Sequence, residues 1–135
     1  HYFWFPNYPK TLDLSNYYDA IIPQTDLATK FFFVSIPIMA VALVIMLITE
    51  WNTGLRWVPL AWIPGLLAPV LVQQMYIEDV NNQFKAGLTD EATLKALLDE
   101  WMFLNDVRWI ILTIMWFITM YFFIAKAKPK HQYNG

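Results

Sequence analysis

The sequence predicts an all-α fold, an integral membrane helical bundle with three transmembrane helices visible. Of the 135 residues, 58% are hydrophobic and 18% aromatic. Only 15% are charged, against about 25% in an ordinary soluble domain. The apolar residues are also gathered into three long runs rather than scattered. That surplus of apolar surface requires a solvent other than water, and the bilayer supplies it. The length is that of one domain, so residues 1–135 are read as a single membrane domain.

The first run is 31–49, FFFVSIPIMAVALVIMLIT, 19 residues without a charge between Lys30 and Glu50. At the helical rise it covers roughly 28 Å, close to the hydrocarbon thickness. Pro37 inside it removes one backbone hydrogen bond. The residues before it, from 7 to 30, read as an interfacial segment, helical from about Ser15 and anchored by Leu12, Tyr17, Ile21 and Ile22. Residues 50–56 form a tight turn around Asn52 and Gly54.

The second run is 57–77, with Pro59, Pro64 and Pro69 at intervals of five. In water each interior proline costs about 3 kcal/mol of helix. In lipid a non-helical backbone has no water to satisfy it, so helix persists and packs on its neighbours. Gln73 and Gln74 indicate that its far end faces protein or water. Residues 78–89 read as a polar connection broken at Gly87.

The third run, 109–125, belongs to a span of about 107–126 with an amphipathic extension over about 90–106. Leu94, Leu97, Leu98, Trp101 and Leu104 recur at helical spacing, and Thr89 or Asp90 supplies the start signal. One long helix from about 90 to 126 follows.

Arg56 and the tail lysines Lys126, Lys128 and Lys130 are dense in two short segments; the other basic residues are diluted over long segments carrying ten of the eleven acids. That density places the 50–56 turn and the C-terminal tail on the cytoplasmic side of a plasma (inner) membrane. Residue 1 is then outside, and a chain starting in the cytoplasm needs a fourth span before it. The aromatic segment from His1 to Pro6 is compatible with such a lost span or with a cleaved signal.

The net charge of −2 and the lack of any basic patch interleaved with aromatics exclude a nucleic-acid partner. There is no cysteine. The two histidines, His1 and His131, lie outside the spans, so neither a di-iron site nor a histidine-ligated haem is expected, and no cofactor or metal is assigned. Ser35 and Thr113 have no neighbouring base for nucleophilic catalysis, and no phosphate-binding glycine motif exists.

Polar residues gather where the second and third runs emerge. Trp101, Asn105 and Arg108 are spaced four and three and share one helix face. Opposite them come Glu78, Asp79, Asn81 and Asn82. An arginine at the membrane boundary normally finds a partner, and Glu78 or Asp79 is the expected one. Two readings stay open: a staple that fixes helix register, or a small polar pocket at the mouth of the bundle.

The order of an apolar span, a span ending in Val80-Asn81-Asn82, a variable loop and then Trp-x-x-x-Asn-x-x-Arg resembles the anthrone-oxygenase-like family of small four-span membrane proteins. Trp101, Asn105 and Arg108 match its last-helix motif, and Asn81 or Asn82 the polar end of its third helix. The resemblance implies a missing first helix and, for members tied to chemistry, cofactor-free oxygenation of polyketide anthrones. Without a histidine in its spans this chain lacks one evident base for that reaction. The leading expectation is a non-catalytic accessory subunit packed against other membrane subunits in the lipid bilayer. The alternative is an enzyme in which Asn81, Asn105 and Arg108 line a pocket for an aromatic or quinone-like substrate.

Overall fold

A computed structural model describes residues 7–127. Its elements are α1 (Tyr8–Thr11), α2 (Tyr17–Glu50), α3 (Trp57–Val72), a π-helical turn (Gln73–Ile77), α4 (Glu78–Ala86) and α5 (Glu91–Ala127). The protein is a helical bundle, and every regular element among the described residues is a helix. Three rods are long and apolar enough to cross a membrane: α2, the continuous Trp57–Ala86 stretch, and α5. His1, His131, Lys128, Lys130 and the segment expected to follow a lost span lie outside the described residues.

The helix preceding the first apolar run starts at Tyr17, close to the expected Ser15, and runs unbroken through Pro23 into the span. One boundary differs from expectation. The second rod continues through residues expected to be a polar connection and stops only at Ala86. Val80 and Phe84 are buried, one turn apart on the same face, and burying that stripe favours helix over loop. Gly87 does break the chain, with φ of 87°, a conformation that favours glycine.

Asp90 caps α5. Its carboxylate accepts the Thr93 hydroxyl at 2.7 Å and the Thr93 N–H at 2.8 Å, which holds the acid below its ordinary range.

Burial is concentrated at one end of the bundle. Tyr8, Tyr17 and Ile21 pack with Ile77, Val80, Phe84, Leu94, Leu97, Leu98, Trp101 and Met102 into one apolar core. This core forms a head built from α1, the start of α2, α4 and the first turns of α5. The leucine stripe read from the sequence is its α5 contribution. Below the head, the most apolar stretch of α2 buries none of its residues, and Phe33, Val41 and Ile48 are largely exposed. Side chains of that kind, left uncovered over several turns, suit a lipid environment.

α3 is the central helix of the spanning part. Gly65 is buried against Met115 of α5, and a Cβ at Gly65 would collide with the Met115 side chain. The Trp62 indole N–H donates to the Thr119 hydroxyl at 3.1 Å, and the rings of Trp57 and Tyr121 lie 5.7 Å apart. At the end away from the head, Lys126 pairs with the buried Glu50 at 2.7 Å, and Glu50 also accepts the Thr53 hydroxyl. The 50–56 turn and the end of α5 therefore share one end of the bundle. α2 behaves differently from α3: none of its Cα atoms comes within 8 Å of one in α5. A cleft runs between those two helices.

Candidate functional site

The cleft widens into a cavity of about 810 Å³ just below the head. Three rods line it. α2 contributes Gln24, Thr25, Ala28 and Phe32, the second rod Gln73, Ile77 and Asn81, and α5 Trp101, Asn105, Arg108 and Leu112. Arg108 is the one ionisable side chain among the described lining residues.

The π turn explains how one rod offers both Gln73 and Asn81. Eight residues of regular α-helix advance about 800°, leaving the two positions roughly 80° apart around the axis. The Glu78 N–H instead reaches back five residues to the Gln73 carbonyl. Each residue of this wider turn advances by a smaller angle, so Gln73, Ile77 and Asn81 come onto one face. Such single-turn π segments are frequent at functional sites. Pro69, four residues earlier, cannot donate to Gly65, so the ladder is already loosened there.

The polar groups form a connected chain. The Trp101 indole N–H donates to Asn81 Oδ1 at 3.1 Å, and the Asn105 amide donates to the Trp101 carbonyl at 2.8 Å. Arg108 Nη1 donates to Gln73 Oε1 at 2.9 Å and, more weakly, to Asn105 Oδ1 at 3.4 Å. The guanidinium carbon sits 4.7 Å from the centre of the Phe32 ring, within cation–π range. Beside the lining, the Tyr8 hydroxyl donates to Gln24 at 2.8 Å and its ring lies 6.0 Å from that of Trp101.

The structure thus brings Asn81 together with Trp101, Asn105 and Arg108, the last three being those whose spacing predicted a shared face. It does not bring in Glu78, Asp79 or Asn82, which are exposed. The expected pairing of Arg108 with Glu78 or Asp79 is corrected: its partner on the second rod is Gln73. Once α4 turns Val80, Asn81 and Phe84 inward, the neighbouring carboxylates fall on the outer face, where water solvates them at no cost. Sequence reasoning missed Gln24, Thr25 and Phe32. Their signal was a helical stripe through Tyr17, Ile21, Gln24, Thr25, Ala28 and Phe32, which lies in the segment read only as an interfacial lead-in.

Arg108 is only 8% exposed and, among the described residues, has no carboxylate partner. Its Nε is buried without a hydrogen-bond acceptor. A guanidinium in such a place is costly unless something neutralises it. The described lining includes no histidine, cysteine or carboxylate, so these side chains supply binding and positive charge rather than proton abstraction or metal ligation. No protein-family model, no curated protein and no solved structure matches this chain.

Proposed function

We propose that this protein binds a small, largely apolar molecule inside the membrane, in the cavity between α2, the π turn and α5. One observation carries the reading: a cavity of about 810 Å³ with mostly apolar walls, in which Arg108 is the one charged group among the described lining residues and has no carboxylate partner among them. Ligand sites commonly combine that size, an apolar lining and a few convergent polar groups.

In its catalytic form the reading follows the anthrone-oxygenase resemblance. An aromatic or quinone-like substrate lies along Phe32 and Leu112, and Arg108 stabilises a phenolate or enolate as negative charge develops. The proton must then pass to solvent or to a group outside the described lining. The second reading is an accessory subunit of a larger membrane complex. The uncovered face of α2 favours it, because such a face suits a partner helix as well as lipid. Both readings place the chain in a plasma (inner) membrane with the 50–56 turn and C-terminal tail cytoplasmic, as the basic-residue density suggests.

A photo-crosslinking amino acid at Ala28, which lines the cavity on α2, separates them in native membranes. The binding reading expects mass spectrometry to find a small molecule attached at this position. Capture of another polypeptide there in its place would transfer the support to the accessory reading.

A further inference from the structure

We infer that the molecule held in this cavity is a monoanion on an apolar body, drawn from the bilayer through the α2–α5 cleft and seated with its oxyanion against Arg108. This rests on reading the cavity as a ligand site and adds the ligand's charge and its route.

Charge balance comes first. Arg108 is buried, and among the described residues its hydrogen-bond partners are neutral amide oxygens, Gln73 and Asn105. Its Nε donor meets no acceptor. A neutral ligand would leave an uncompensated cation in a low-dielectric site, and a dianion would exceed it. One oxyanion at the Arg108 guanidinium supplies the missing charge through a charge-assisted hydrogen bond. Gln73 and Asn105 steady the guanidinium on its Nη1 side, and Phe32 covers a face of it.

The route follows from helix placement. α3 is locked to α5 through Gly65 and Met115, whereas α2 and α5 stay more than 8 Å apart at every Cα pair. The walls of that gap carry Leu27 and Phe31, both largely exposed. A molecule dissolved in the acyl chains meets Leu27 and Phe31 at this gap before it reaches Arg108. Two sources share the required chemistry: the carboxylate of a fatty acid, and the phenolate of a hydroxylated aromatic.

The test uses the full chain, detergent-solubilised and immobilised, with radiolabelled oleate as probe in a scintillation proximity assay. Unlabelled oleate, methyl oleate and a dihydroxyanthracene serve as competitors. The inference expects saturable binding that methyl oleate does not displace. Arg108→Met should weaken it about 10- to 100-fold, the scale of a lost charge-assisted contact, while Arg108→Lys keeps the larger part. Should the Met variant fail to fold, Ala28→Trp, which fills the cleft from an exposed position and leaves Arg108 intact, should still abolish binding. Displacement by dihydroxyanthracene at lower concentration than by oleate assigns the aromatic source, and the reverse order assigns the fatty acid. If methyl oleate competes as well as oleate and Arg108→Met binds like wild type, the anion inference is overturned while the cavity reading stands. If no probe binds saturably, both fall.

Discussion

Trp101→Ala is expected to destabilise the solubilised protein by about 3–5 kcal/mol, the usual range for truncating a large buried aromatic. Trp101 is 5% exposed and belongs at once to the apolar core of the head and to the cavity wall. Its ring packs near Tyr8, and its indole N–H satisfies Asn81 Oδ1, itself on a residue 8% exposed. The substitution therefore opens a void and strands a buried acceptor together. Trp101→Phe separates the two effects: most of the packing remains, the Asn81 acceptor is left without its donor, and a loss of about 1–3 kcal/mol is expected. Unfolding in a titration with sodium dodecyl sulfate, followed by far-ultraviolet circular dichroism, measures both. An alanine variant as stable as wild type would mean that the head does not hold the bundle together.

Phe84→Ala is the second large effect, also about 3–5 kcal/mol, but its locus differs. Phe84 is fully buried in the head, beyond the cavity lining. Its ring lies 6.1 Å from that of Tyr17, whose hydroxyl donates to the Phe84 carbonyl at 3.4 Å and accepts the Leu88 N–H at 2.9 Å. Removing the ring loosens α4 from α2 at the point where the second rod ends. Hydrogen exchange should accelerate across 78–86 and leave the amides of 109–125 protected. Equal acceleration in both segments would show that the head and the spans unfold as one unit.

Most of the fold was legible because lipid imposes a simple rule: long apolar runs become helices, whatever their prolines. The runs at 31–49, 57–77 and 109–125 are each contained in one rod, and the leucine stripe from Leu94 extended α5 outward as its spacing required. Residues 78–86 were harder to place, since Glu78, Asp79, Asn82 and Lys85 outnumber the two apolar positions that decide the matter, Val80 and Phe84. Those two bury against Tyr17, Ile21 and the leucine stripe of α5, which come from distant parts of the chain.

The site was half legible for a related reason. Helical spacing is enough to align Trp101, Asn105 and Arg108 on α5. No local pattern announces a π turn, and without it Gln73 points elsewhere and Asp79 looks as good a partner as any. The α2 wall was hidden because it is assembled across the bundle rather than along the chain.

α2 is held at both extremities, by Tyr17 and Ile21 in the head and by the Glu50–Lys126 pair at the opposite end. Between those anchorages, like a beam clamped at each support, its backbone stays more than 8 Å from that of α5 at every Cα pair, and only side chains such as Phe32 and Arg108 reach across. A clamped beam admits a guest by bowing at midspan, and it bows most easily where a rung of its ladder is missing. Pro37 leaves the Phe33 carbonyl without its usual donor near the middle of α2. Pro37→Ala should accordingly stiffen the beam, lengthening the dissociation half-time of bound oleate several-fold while the equilibrium affinity stays constant. An unchanged half-time would place the moving part in another helix. The residue that sets how fast the chamber fills and empties then lies outside the lining that decides what it holds.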